Sequence, residues 1–577
     1  MWGTFQAPHV IRTVGIADLE DPRAQDSRHL PDIGGGFGNK VGAYSGYICA
    51  IVASIVTGRP VKWVEDRIEN LSTTAFARDY HMTAEIAATK DGKRDGAARL
   101  HHRGPRRLRR LRRRRPSGRR ASSTSSRDPT ISRSRTCSVD GVYTNKAPGG
   151  VAYRCSFRVT EAAYCIERAM DIMAQKLGMD PAELRMKNLI RREQFPYTSA
   201  LGWEYDSGDY HTALQQGDGH RRLPEAARRA EGQARGLQAR RDARADGHRR
   251  RLLHRDRRRG AVAQLRHPRH RDVRLGRDPH PPDRHRHLRG SAPSRKARAT
   301  RQPTRRSSPP ELGLPADNIT IEEGNTDTAP YGLGTYGSRS TPVSGAATAM
   351  AARKIKAKAQ MIAAHLLEVH DDDLEWDVDR FRVKGNPERF KTMTELAWAA
   401  YNSVPPGMEP GPGGGELLRS AEHDLPVRRL YLRRRRGRRH RRDQGAPLLR
   451  AGRLRHPDQP DDHRGQIHGG LTEAFGIAMG QEIHYDEDGN VTTASLMDYF
   501  LPTAVETPHW ETDWTTTPSP HHPIGAKGVG ESPNVGGVPC FANAVNDAFA
   551  FLGSTHIPMP HDHWRTWMAA DKLGLHA

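Results

Sequence analysis

The chain has 577 residues, enough for several domains, and sets 92 Lys and Arg against 67 Asp and Glu, a net charge of +25. Only 35% of it is hydrophobic and 6% aromatic, which is thin for a fully packed protein of this size. Its five cysteines (Cys49, Cys137, Cys155, Cys165, Cys540) form no CxxC pair, which argues against a disulfide framework or a structural zinc site and for a reducing compartment.

No apolar run reads as long enough to span a bilayer, and the N-terminus lacks the order of a secretory signal. Residues 1–93 read as ordinary α/β enzyme text. A glycine-rich loop runs through Gly34, Gly35, Gly36, Phe37 and Gly38. Residues 15–30 are charged where a strand is expected before that loop. Residues 47–56 are apolar nearly all round, which predicts a buried helix; residues 61–64 and 80–88 predict strands.

Composition then changes. Residues 94–130 contain no Lys, Ile, Val, Phe, Met, Tyr, Trp or Asn, and arginine dominates. Residues 218–295 repeat the pattern without Lys, Ile, Phe, Met, Tyr, Trp or Asn, and residues 417–465 lack Lys and Ile. Such text lacks the apolar side chains that offset chain entropy, so these blocks are expected to be without order. One reading is a set of Arg-rich arms that neutralise nucleic-acid phosphates. The favoured reading is a GC-rich gene translated out of frame, with shifts near codons 94, 217, 309, 417 and 465.

Ordered text resumes over residues 138–216. It opens with Val151, Ala152, Tyr153, Arg154, Cys155, Ser156, Phe157 and Arg158. A thiol between two arginines, just before a helix, has its pKa lowered and favours the thiolate that binds soft metals. The ordinary alternative is a small buried core cysteine. Residues 160–178 predict an amphipathic helix, with Thr160 as N-cap, Gly178 as its C′ residue, and Ala163, Ile166, Met170, Met173 and Leu177 on the core face. Asp180 and Pro181 open a second short helix.

Residues 310–416 carry a second glycine-rich loop, 335–341, whose Ser338, Arg339, Ser340 and Thr341 suit an anionic group, and then a helix over about 344–369. Residues 466–577 predict a helix at 468–481, a turn at 486–490, strand-like text at 491–500 and a helix from about 539 to 552. Between the last two lies a third glycine-rich loop, 525–532, with Lys527, Gly528, Val529, Gly530 and Glu531. A carboxylate held there away from water suits a general base, with a solvent-facing or capping Glu as the alternative. None of the three loops matches GxGxxG with a downstream acid or GxxxxGK[ST], so neither a Rossmann site nor a P-loop is supported.

Taken together, these motifs resemble the molybdenum-binding large subunits of the xanthine dehydrogenase and aldehyde oxidase family. Residues 152–158 are most similar to the active-site loop of the branch formed by the form I aerobic carbon monoxide dehydrogenases. The resemblance covers residues 1–14, 31–93, 138–216, 310–416 and 466–577 and fails over the Arg-rich blocks. It implies an α+β fold of two related molybdopterin-binding lobes, with the site between them. The first lobe would comprise 1–93 and 138–216 and the second 310–416 and 466–577, interrupted by Arg-rich 94–137, 217–309 and 417–465.

The resemblance further implies molybdopterin cytosine dinucleotide with molybdenum, and copper(I) on Cys155. Gly36, Phe37 and Gly38 would lie over the cofactor, with Gln6 at the metal. Arg154, Ser156, Phe157 and Arg158 would shape the pocket. Loops 335–341 and 527–530 would hold the cofactor, and Glu531 would be the base. Carbon monoxide and water would give CO2, and two electrons would pass to an iron–sulfur small subunit and an FAD medium subunit in a dimer of heterotrimers. That assembly would be cytoplasmic, at the inner face of the membrane, with no nucleic acid bound. The family's N-terminal domain, a cofactor loop within 217–309 and the text before Gln466 are expected to be missing. The alternative enzyme is a molybdenum hydroxylase acting on an aldehyde or heterocycle.

Overall fold

The computed structural model describes residues 1–19, 33–74, 81–93, 98–102, 135–139, 156, 159–199, 202–219, 287–289, 312–314, 319–327, 332–411, 429–434, 445–453, 460–554 and 556–574. The first part begins with helix α1 (Pro8–Leu19), whose last residues enter the stretch 15–30 where a strand was expected. Helices α2 (Ser45–Thr57) and α3 (Arg67–Thr73) follow. Gly58 ends α2 in the left-handed conformation, as a C-terminal glycine should. Asp66 and Glu69 form a reciprocal capping box that starts α3.

Two expectations fail here. Helix α2 forms but is not buried: Ile55 and Val56 are 64% and 79% exposed. An all-apolar period specifies a helix, but burial also needs a layer to cover it. Residues 61–64 form no strand, and among the described residues no strand pairs with them. In addition, the stretch Asn39–Thr57 is long and apolar enough, by length and composition, to cross a membrane. That corrects the expectation of no such run, although its α-helical part is 13 residues.

Strand β1 (Met82–Glu85) matches the expected strand near 80–88 and pairs antiparallel with β2 (Ala98–His102), which runs parallel to β3 (Arg135–Val139). Helix α4 (Val159–Leu177) begins one residue before Thr160, so Thr160 lies inside the first turn rather than at the cap. Its Met170 and Met173 are buried, with Leu177 packed against them, and Gly178 has a φ of 64°. Helix α5 (Pro181–Asn188) is capped by Asp180, which accepts from Ala182 and Glu183 amides. The hairpin β4 (Tyr197–Thr198) and β5 (Glu204–Tyr205) leads into α6 (Tyr210–Gly219). Strand β6 (His287–Arg289) pairs parallel with β7 (Thr320–Glu322).

The second part contains α7 (Ala346–Leu367), the meander β8 (Leu374–Asp377), β9 (Arg380–Val383) and β10 (Asn386–Thr392), and α8 (Met393–Asn402). Their shared core includes Ile362, Leu367, Phe381, Met393 and Leu396. Strand β11 (Arg429–Arg434) pairs antiparallel with β12 (Gly445–Arg453), and β12 runs parallel to β13 (Trp510–Thr515). Helix α9 (Pro460–Met479) packs on α10 (Ser532–Ala550), and α11 (His563–Lys572) closes the described chain. Residues 491–500 give a single bridge, Tyr485 to Val491, rather than a strand. Helix α10 starts seven residues before the expected 539. Pro533 occupies its first turn and Pro539 is accommodated within it, so tertiary packing overrides the breaker signal.

Strands β2, β3, β6, β11 and β12 carry residues from the Arg-rich blocks, which corrects the expectation of disorder at those positions. A ladder is made by backbone groups, which arginine supplies as well as valine does. The remaining residues of those blocks lie outside the described residues.

The β8–β10 core makes a direct prediction. Phe381 is fully buried and meets Trp376 edge-on at 4.8 Å between ring centroids. Phe381→Ala is expected to cost about 3–5 kcal/mol, seen as an earlier urea midpoint by tryptophan fluorescence.

Candidate functional site: three glycine loops tied by side chains

Gln6 is 1% exposed and joins the first two glycine loops. Its Oε1 accepts from the amides of Gly38 at 2.8 Å and Lys40 at 3.1 Å, and its Nε2 donates to the Thr335 carbonyl at 2.8 Å. Its backbone makes two further ties: Gln6 N donates to Lys40 O at 2.9 Å, and Thr335 N donates to Gln6 O at 2.8 Å. A Cβ on Gly36 would lie 2.1 Å from Gln6 Cγ. Glycine is therefore required at 36 by space rather than by backbone angle.

The second and third loops meet at Ser338 and Glu531. Ser338 Oγ accepts the Glu531 amide at 2.8 Å, and Glu531 Oε1 accepts the Gly337 amide at 3.2 Å. A Cβ on Gly528 would lie 2.6 Å from Ser338 O. Ser156 is buried and its Oγ donates to Glu531 O at 2.9 Å. The residue that follows Cys155 is thus held against the backbone of the carboxylate predicted to be the base. Cys155, Arg154, Phe157 and Arg158 lie outside the described residues, and Cys137 lies in β3. Among the described residues there is no group of three His, Cys, Asp or Glu placed to hold a metal.

Backbone strain gathers at the same place. Phe37, Ser156 and Ser338 all have positive φ, at 52°, 75° and 55°. Side-chain-bearing residues adopt that region only where surrounding structure compels it, and such residues cluster at functional sites. Phe37 is 72% exposed and projects from its loop. Arg339 lies over the Tyr336 ring, 5.3 Å from its centroid, and its Nε is buried with no hydrogen-bond partner. Ser340 Oγ donates to Thr335 Oγ1 at 2.9 Å, bracing the second loop. Val529 packs against the core beneath α9 and α10, and Ser532 Oγ donates to its carbonyl at 3.0 Å.

Two supports were not foreseen. Lys527 is buried against Asp206, with Nζ to Oδ1 at 3.4 Å, and donates to Ser207 O at 3.2 Å and to Ser207 Oγ. Burial alone would raise the Asp206 carboxyl, but the Lys527 ammonium and the Ser519 and Ser207 hydroxyls hold it below the usual carboxylate range. The second is His522. Its Nδ1 accepts from the Ile524 and Ala526 amides at 3.1 and 3.2 Å, so the proton sits on Nε2, 2.8 Å from the Pro342 carbonyl. Neither pairing has a local sequence signal, since the partners are 320 and 180 residues apart.

Gln6→Ala removes the three side-chain hydrogen bonds that join the two loops and is expected to cost about 2–4 kcal/mol, read as a lower melting temperature. His522 gives a pH prediction. Burial lowers its pKa, and the Pro342 and Thr341 carbonyls only partly oppose this. The folded chain therefore prefers neutral imidazole. Its stabilisation is complete above the unfolded value of about 6.5 and is lost as pH falls through the lower folded value. His522→Asn is expected to flatten the melting temperature's fall from about pH 6.5 downward, measured against the parent chain.

Comparison with known proteins agrees with the architecture. Residues 1–101 and 131–189 match one molybdopterin cofactor-binding domain, and residues 310–436 and 459–508 match a second. The chain is 55% identical over 619 aligned positions to the carbon monoxide dehydrogenase large chain of Afipia carboxidovorans, covering 100% of this chain and 71% of that one. It is 51% identical to the corresponding chain of Hydrogenophaga pseudoflava, over 99% and 71%. A crystal structure of the Cu,Mo-CO dehydrogenase in its carbon-monoxide-reduced state superposes with a TM-score of 0.79 at 48% identity, over 100% of this chain and 72% of that one. The fold is therefore the α+β pair of molybdopterin-binding lobes, and the chain belongs to the family of carbon monoxide dehydrogenase large chains.

Proposed function

We propose that this chain is the catalytic large chain of a molybdenum–copper carbon monoxide dehydrogenase, turning CO and water into CO2, two protons and two electrons. The observation that carries the reading is the Ser156 to Glu531 hydrogen bond. It ties the residue beside the one thiol flanked by arginines to the one carboxylate in a glycine loop.

The residues fit an anionic cofactor. A Cβ built on Gly34 or Gly337 meets nothing within 4 Å, so those turns leave open space beside the backbone. Arg339 Nε is buried without a partner, a cationic donor suited to a phosphate. Molybdopterin cytosine dinucleotide would be held by the backbone of Gly36, Phe37 and Gly38, by Ser338, Arg339, Ser340 and Thr341, and by the loop Lys527, Gly528, Val529 and Gly530. When bound, the molybdenum and copper supply Lewis acidity and accept the two electrons. Cys155 would ligate copper(I), for which a thiolate is the matched soft ligand.

The chain's own groups do the rest. Glu531 is the base: Gly337 N–H orients its carboxylate through Oε1 to take a proton from water. Gln6 holds the first loop against the second and has a further Nε2 hydrogen for a ligand at the centre. Arg154, Ser156, Phe157 and Arg158 shape the pocket, and Phe37 covers it against water. The electrons leave through an iron–sulfur small chain and an FAD medium chain in a dimer of heterotrimers. The assembly works in the cytoplasm, at the inner face of the membrane.

The test is metal analysis and CO oxidation by the chain produced with its partner chains. Molybdenum and copper are expected together. Cys155→Ala should lose copper while keeping molybdenum. Glu531→Gln should lower kcat by about 10²–10⁴ with both metals retained. Aldehyde turnover that survives Cys155→Ala, with no CO oxidation by the parent, would sink the reading.

A further inference from the structure

We infer that Asp206 is a positioning residue for the third glycine loop: it neutralises Lys527 internally, so that the loop meets its anionic ligand with backbone amides and not with a side-chain cation. This rests on the cofactor reading above. In a loop bearing a lysine among glycines, the ammonium is the obvious anion ligand. The geometry points elsewhere. The Lys527 side chain is 5% exposed and that of Asp206 8%. An ammonium has three donors, and here Asp206 Oδ1, Ser207 O and Ser207 Oγ take them.

The partner side is built for this. Asp206 and Ser207 stand in the connection between β5 and α6, and Ser207 Oγ also donates to Asp206 Oδ1 at 3.1 Å. Two residues before Asp206, Glu204 faces His521 across 3.8 Å, a second contact between the same two segments. The next residue after Lys527 is Gly528, which sits against Ser338 O with no room for a Cβ. Glu531 follows three residues later. Pinning Lys527 therefore fixes where the amides of the loop point and where the carboxylate begins. An unpaired lysine in this buried place would instead drive the loop outward to water.

A double-mutant cycle decides the matter. The variants are Asp206→Asn, Lys527→Met and the two combined, in the full chain produced with its partners. The readouts are the melting temperature and the molybdenum retained per chain after gel filtration. Asp206→Asn is expected to lower the melting temperature by about 5 °C or more and to release molybdenum. The combined variant, which removes both charges, is expected to recover most of both. Failure of the combined variant to recover either would overturn the inference. So would molybdenum lost in Lys527→Met and in the combined variant but kept in Asp206→Asn, because Lys527 would then serve the cofactor directly. Recovery of the melting temperature with no molybdenum in any chain, the parent included, would uphold the pair and overturn the cofactor reading instead.

Discussion

A primary amide can accept and donate at once, and the two lobes of this protein are joined by one that does both. Gln6 takes two loop N–H groups on its oxygen and gives a hydrogen to a carbonyl in the other lobe. A carboxylate there could not donate, and a lysine could not accept. Backbone groups in glycine turns cannot find partners in a regular ladder, so a buried turn must be satisfied by side chains or by a ligand. The whole candidate site follows from that requirement. Gly36 is small to admit Gln6, and Ser338 and Ser156 hold positive φ because their hydroxyls are needed where they are.

Beneath the loops, the packing is made by small residues. Helix α10 buries Gly536, Gly537 and Ala542 along with Val538 and Phe541, and α9 meets it with Leu471, Ala474 and Phe475. Helix α4 of the first lobe packs on α10 and is stitched to it by Arg168 to Asn543 Oδ1 at 2.7 Å, with Asn543 Nδ2 donating to Glu167 O. The same α4 turn holds Arg185 through Glu167 and Asp171, at 2.5 and 2.7 Å. A buried guanidinium requires such compensation on both sides. Rigid helices thereby carry loops whose own conformations are strained.

What the sequence disclosed was local in character. The start of α5 at Asp180 and the period of α4 are interactions within a few residues, and reading text of that length is enough to find them. The glycine loops were likewise visible, because a run of glycines has few other uses. The partners of those loops were not visible. Asp206 and Lys527 are separated by most of the second lobe, and nothing in either neighbourhood encodes the other. Exposure also eluded the reading: the pattern of α2 is that of a buried helix, and only the arrangement of the rest decides whether anything covers it. The early start of α10 was hidden by Pro539, a residue with a strong local preference that the tertiary setting overrules. Strands β11 and β12 were hidden in arginine-rich text, whose composition carries no clear strand signal.

The span of the ties has a consequence for how the protein is made. Gln6 waits for Thr335, 329 residues downstream, and Ser156 waits for Glu531, 375 residues downstream. At ribosomal speeds of about 5–20 residues per second, roughly a minute can separate one half of such a bond from the other. The nascent chain must keep its first loop unclosed throughout that interval, and a group gripped by all three loops can be seated only once the third has been made.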